Sequence, residues 1–264
     1  NQGVITGNNK EFITNVSSSN TKKVITGSDF NRYSINWPKV YIIYDESKLH
    51  RPRKKIVFEA SEKILLRQTA SYPIASYDNE QFYTLDTVHN GLSKNNEFNL
   101  KYFVALLNSK LFRYLYTSSI NEEGKVFAQV KIIYVNPLPI KIISIEEQEK
   151  FVGIVDVMFS ENKKLYSESN NFLEYIIDKF KIETPSLKIR NWYNYDFNEF
   201  LKELAKHKIK LSAEDEFSLN NLFKKQKTIV NEIQKYIKEI DNSIDQMVYK
   251  LYNLTEAEIK IVEG

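Results

Sequence analysis

"NPLPI", Asn136 to Ile140, is where the texture of this sequence changes. Pro137 and Pro139 lack amide donors, so no regular element runs through them and the two sides must be read separately. Before this stretch lie short β-branched and aromatic runs punctuated by Gly, Pro, Asn and Ser: "GVITG", "KKVITG", "KVYIIY", "KKIVFEA", "EKILLRQ", "QFYTLDTV" and "FAQVKIIYV". They predict the strands of a mixed sheet. One helix interrupts them at "NLKYFVALLNSKLFRYLY", where Phe103, Leu107, Leu111 and Tyr114 recur at helical spacing.

Beyond the prolines the pattern is helical. Ser144 with Glu147 forms a capping box, followed by an apolar seam at Phe151, Val155, Met158, Leu165, Phe172, Ile176 and Phe180 that also carries Asn162 and Ser169. A second seam starts after Ser212 and Asp215 and runs through Leu222, Ile229, Ile233, Tyr236 or Ile237, Ile240, Ile244, Met247 and Leu251. Two helices of such length, each roughly 55 Å long at about 1.5 Å per residue, pack most simply as an antiparallel pair. The expected fold is α+β: a mixed-sheet lobe over residues 1–143, then a long antiparallel helical hairpin over 144–264. A small insert at about 183–212 would cap its tip, with Pro185, Trp192 and a short helix opening near Asp196.

Composition bounds the function. The 264 residues are 42% hydrophobic and 13% aromatic, which is a folded chain rather than a disordered one. With no cysteine there is no disulfide, thiolate metal site or Cys nucleophile, and a reducing cytoplasm is the expected compartment. No run approaches the roughly 18 apolar residues of a membrane span. A start at Asn1 reads as a piece of something longer, with any catalysis upstream.

The net charge of +3 is unevenly divided. Residues 1–140 carry 18 Lys and Arg against 12 Asp and Glu, a net of +6, and residues 141–264 carry 19 against 22, a net of −3. Five arginines, Arg32, Arg51, Arg53, Arg67 and Arg113, lie in the first part and only Arg190 outside it.

Catalytic patterns are absent. His50, His89 and His207 are too scattered for a metal pattern, Glu122–Glu123 reads as a turn, and Glu214–Asp215–Glu216 reads as a helix N-terminus, where acids favour the dipole. Asp45, Glu46 and Lys48 supply the residue types of a metal-dependent nuclease without a separated acidic partner. There is no phosphate-binding glycine loop and no serine triad context. No catalytic residue and no metal ligand is therefore assigned.

The basic stretch is more informative. Lys48, His50, Arg51, Arg53, Lys54 and Lys55 fall within eight residues around Pro52, and Lys63, Arg67 and Gln68 follow at the edges of the next strand. Clustered cations displace counterions from a phosphate backbone, and the forks of Arg and Gln match guanine and adenine edges. "TGSDFNRYSINW" adds Asn31, Arg32, Tyr33 and Asn36.

"GVITGNNKEFI", "VITGSDFNRY", "EKILLRQ" with "ASYDNEQFYTLDTVHNGL", "YFVALLNSKLFRYLY", "FAQVKIIYVNPLPI" and "IDQMVYKLYNLTEAEIKIVEG", in that order, resemble the C-terminal target-recognition region of TaqI-like DNA methyltransferases. Such regions occur in type IIG and related restriction-modification enzymes, and the resemblance covers nearly the whole chain. It implies an α/β lobe that docks on duplex DNA, long supporting helices, and upstream adenine-N6 methyltransferase and nuclease domains using S-adenosylmethionine and Mg2+. The family's methylation motif, Asn or Asp followed by Pro, Pro and an aromatic, is not matched by "NPLPI", so this segment should neither bind the methyl donor nor methylate.

The expected partner is double-stranded DNA. Arg32, Arg51, Arg53, Arg67 and Gln68 are the base-reading candidates, and Lys48, Lys54, Lys55 and Lys63 the phosphate candidates. A helical protein-interaction module with an incidental basic loop, or a nuclease using Asp45, Glu46 and Lys48, stand as alternatives, as do a phage-exclusion or separate specificity chain within the nucleic-acid reading.

Overall fold

The computed structural model describes residues 1–94, 97–120 and 128–264. The chain opens with a short helix α1 (Asn9–Phe12) and strands β1 (Ile13–Thr14), β2 (Thr21–Ile25), β3 (Phe30–Asn31), β4 (Ser34–Ile35) and β5 (Tyr41–Ile43). Helix α2 (Ile56–Glu59) precedes β6 (Lys63–Arg67), β7 (Ala75–Asp78), β8 (Tyr83–Thr84) and β9 (Val88–Gly91). Helices α3 (Leu100–Asn108), α4 (Lys110–Ser118), α5 (Ile132–Val135), α6 (Ile145–Phe180), α7 (Leu187–Arg190), α8 (Phe197–Lys206), α9 (Ala213–Leu251) and α10 (Glu256–Glu263) follow. The fold is α+β, with its strands in the N-terminal part and two long helices in the C-terminal part.

Among the described residues the strands form three small sheets. One has the order β1-β5-β2-β8 and is mixed, because β2 runs parallel to β8 and antiparallel to β5. A second, β3-β4, is a two-stranded hairpin, and the third, β7-β6-β9, is antiparallel. Val4, Phe12, Val24, Ile42, Leu49, Val57, Phe58, Tyr83 and Leu85 build one buried cluster, and Ile25, Phe30, Leu65, Phe82 and Val88 a second.

Several expected strands resolve differently. "KKIVFEA" holds the helical turn α2, because Val57 and Phe58 are adjacent and both buried, which an alternating strand cannot achieve while exposing Ile56. "GVITG" contributes only isolated bridges, Gln2 to His89, Val4 to Leu85 and Ile5 to Arg51. Of "FAQVKIIYV", Phe127 lies outside the described residues, as does the Glu122–Glu123 turn, and Ile132–Val135 is the exposed turn of helix α5. The expected single helix over residues 99–116 is two: Ser109 leaves helical geometry at ψ 154°, and its hydroxyl accepts from Phe112 N–H at 3.3 Å to cap α4.

Capping chemistry elsewhere forms as the residues predict. Ser144 and Glu147 exchange bonds of 3.0 and 3.2 Å, Asp196 with Glu199 opens α8, and Thr255 with Glu258 opens α10.

Two compact units emerge, residues 1–159 with 241–264, and residues 160–240, so each long helix contributes to both. Within the second unit α6 and α9 are antiparallel: Lys179 lies 3.9 Å from Asp215, and seven residues earlier Phe172 meets Phe223 at a ring separation of 5.9 Å. The core there includes Leu219, Phe223 and Val230, with Leu222 only partly buried. The α9 seam is thus turned by one residue from the expected Leu222 and Ile229, because neighbouring apolar residues make both faces readable.

Candidate nucleic-acid interface

The basic loop projects from the first sheet and is held at both ends. The Asp45 carboxylate accepts from Ser47 N–H at 3.1 Å and from its hydroxyl at 2.7 Å, closing a turn that leaves Lys48 3.5 Å away. The hydroxyl of Ser47 lowers the Asp45 pKa first, so this carboxylate serves the turn. At the other end the Tyr44 hydroxyl bonds both the N–H and the carbonyl of Arg53. Between these anchors Lys48, His50 and Arg51 are exposed, as are Lys54 and Lys55 just beyond the second. Arg51, Lys54 and Lys55 have no ion pair or side-chain hydrogen bond among the described residues.

Arg53 points back into the lobe. Its Nε donates to the Gln2 carbonyl at 2.9 Å and one terminal nitrogen to the Pro52 carbonyl at 3.1 Å. Gln2 in turn donates through Nε2 to the Asp86 carbonyl at 2.9 Å and to the Gln68 side chain at 3.5 Å. The basic loop and the end of β6 are therefore joined through one residue. Gly3 permits this, since a Cβ there would collide with the carbonyls of Thr84 and Leu85. Gln2 and Gly3 were not singled out in the sequence, where nothing marks a residue that works by contacts 51 to 84 positions away.

The remaining candidates divide sharply. The Arg67 guanidinium donates to the Phe30 carbonyl and lies 5.7 Å over the Phe30 ring. Burial lowers its pKa, against the pull of Tyr72 and Asp29. Arg32 forms a two-pronged pair with Asp241 at 3.0 and 2.5 Å. Burial alone would lower its pKa, but the charge and hydrogen bond of Asp241 together with the charges of Tyr33 and Asp245 outweigh it, and the net direction is upward.

Lys63 must be reassigned. It is fully buried, 2.5 Å from Asp78 directly across the β6–β7 ladder, and donates to the Phe58 carbonyl at 2.9 Å. Burial lowers its pKa, and the Asp78 charge works against that fall. A lysine with no exposed surface cannot neutralise a DNA phosphate, so Lys63 is a structural cation. The sequence could not reveal this because its partner is 15 residues away.

Arg32 also belongs to a wider network. Asp245, one turn beyond Asp241 on α9, accepts from Lys110 N–H at 2.8 Å at the start of α4, and the Lys110 ammonium lies 3.0 Å from Glu263 on α10. Burial raises the Asp245 pKa. Tyr252 donates from its hydroxyl to the Pro139 carbonyl at 2.5 Å and accepts from Lys141 N–H at 3.1 Å. The end of α9 thus clasps β3–β4, α4 and "NPLPI" in one unit.

His89 on β9 is half-buried and its pKa is lowered by burial, which favours the neutral ring. Among the described residues no three His, Asp or Glu side chains converge as metal ligands, and Asp45, Glu46 and Lys48 lie on the one turn. No described helix is long and apolar enough to cross a membrane.

Known families cover most of the chain in two pieces. Residues 144–248, from the cap of α6 almost to the end of α9, match a domain of unknown function, DUF8810. No curated protein matches the chain. Residues 22–140, which hold β2 to α5 with the basic loop, match the TaqI-like C-terminal specificity domain.

Proposed function

We propose that this chain recognises a specific sequence in double-stranded DNA for an adenine-N6 methyltransferase or restriction enzyme whose catalytic domains lie upstream in the same longer protein. The specificity-domain match supports a DNA-recognition role in a restriction-modification system. The observation that carries the reading is the set of unpartnered cations, Arg51, Lys54 and Lys55, on a loop pinned by Tyr44 inside that domain. Duplex DNA presents one negative charge per roughly 1.7 Å, and cations already committed to protein carboxylates cannot displace its counterions.

On this reading Lys48, Lys54 and Lys55 position the duplex, and Arg51 with the Gln68 edge faces the bases. Arg32, Arg53 and Arg67 hold the surface in shape. Binding then presents the target adenine for extrusion into a pocket supplied by the upstream domain. S-adenosylmethionine and Mg2+ belong to that domain, no catalytic role is assigned to this segment, and its compartment is the cytoplasm.

Titration against rising salt tests the phosphate assignment. The double change Lys54→Ala, Lys55→Ala should weaken binding to every duplex alike and reduce the slope of log affinity against log salt by about 2. An unchanged slope would remove these lysines from the interface.

A further inference from the structure

Of the six arginines in the chain, four have guanidinium groups engaged by the protein. Arg32 holds Asp241, Arg53 the carbonyls of Gln2 and Pro52, Arg67 the carbonyl of Phe30, and Arg190 that of Pro185. Arg51 and Arg113 remain with no side-chain hydrogen bond or ion pair among the described residues. They differ in one respect. Arg51 sits exposed on a loop with no ring contact among the described residues, whereas the exposed Arg113 guanidinium lies over an aromatic ring, its central carbon 4.1 Å from the centre of Tyr72.

Both sides of that stack are fixed. Arg113 is one turn into α4, whose start is held by the Ser109 cap and by the buried Asp245 carboxylate on Lys110 N–H. Tyr72 lies in the β6–β7 turn, which is closed by Arg67 N–H on the Ile74 carbonyl at 3.0 Å and tethered by Gln68 N–H on the Thr87 carbonyl at 2.9 Å. Tyr72 stands four residues beyond Gln68 in this turn. Stacking on a ring face leaves the edge of a guanidinium, with its N–H donors, pointing away from the protein. That restraint lowers the entropy lost when the donors engage a partner.

We propose that Arg113, stacked on Tyr72, is a base-reading residue of the duplex contact, and that its fork takes a guanine through O6 and N7. The inference rests on the DNA-recognition reading and assigns to it a residue outside the basic loop. Lysine can serve a phosphate as a point charge, whereas the rigid planar fork of a stacked arginine fixes the angle at which two donors meet a guanine edge, which a flexible ammonium does not.

The test uses the duplex that the unmodified 264-residue chain enriches from a randomised pool, together with copies changed at one base pair each. Arg113→Ala should weaken the enriched duplex roughly 5- to 150-fold and abolish discrimination at one G·C position. Arg113→Lys should keep the salt slope and still lose that discrimination. Tyr72→Leu should lie between Arg113→Ala and the unmodified chain at the same position. Full discrimination in Arg113→Ala overturns the assignment, as does an equal loss on every duplex with a reduced salt slope, which would make the residue a phosphate contact. If the unmodified chain enriches no motif, the DNA-specificity reading itself fails and this inference with it.

Discussion

Replacing Lys63 with alanine is expected to destabilise the fold by about 3–5 kcal/mol, the cost of leaving a buried charge without its partner. Asp78 is as buried as Lys63, and its carboxylate also accepts from the N–H groups of Glu80 at 2.7 Å and Phe82 at 3.0 Å. These two bonds explain why the pair is tolerated inside a small lobe: the charges satisfy each other and the carboxylate organises the turn into β8. They also mean that apolar replacement of both residues would orphan two amides. The double variant Lys63→Met, Asp78→Asn keeps an acceptor for one of the two amides and removes both charges. It should therefore recover part of the loss seen in Lys63→Met alone, giving a measurable coupling. Denaturant unfolding of these variants together with Asp78→Asn alone reads this directly, and a Lys63→Ala loss below about 1 kcal/mol would mean that the pair is solvated.

Trp192→Ala should cost a similar amount, about 3–5 kcal/mol, in the unit formed by residues 160–240. The indole is fully buried, with ring separations of 4.3 Å to Phe172 and 5.4 Å to Phe223, and its N–H donates to the Ser169 carbonyl at 3.0 Å. It joins the insert to α6 and α9 at once, so its loss removes contacts on three sides. Trp192→Phe keeps most of the ring packing and drops the hydrogen bond, so it should cost clearly less than the alanine. Equal losses in chemical denaturation would assign the stability to the Ser169 bond rather than to the aromatic cluster.

How much was legible follows from how local each determinant is. Ser144 with Glu147, Asp196 with Glu199 and Thr255 form caps within three residues, so sequence alone places these helix starts. The one-residue turn of the α9 seam and the break at Ser109 were less accessible, since tertiary packing chooses between Leu222 and Phe223 and between one helix and two. Charge meaning was least accessible. Lys54 and Lys63 look alike in a sequence, yet one is exposed and the other is sealed against Asp78. Arg32 looks like a free base reader until the fold brings Asp241, 209 residues away, against it. Arg113 was only one of the clustered arginines until Tyr72 stacked on it.

The central claim is tested most directly by selecting bound duplexes from a randomised library at low salt, then titrating the enriched duplex and a scrambled copy as salt rises. Recognition predicts one short enriched motif whose advantage over the scrambled copy persists at higher salt, because base contacts are less salt-sensitive than phosphate contacts. Binding that enriches nothing, and falls equally for both duplexes as salt is added, would contradict it.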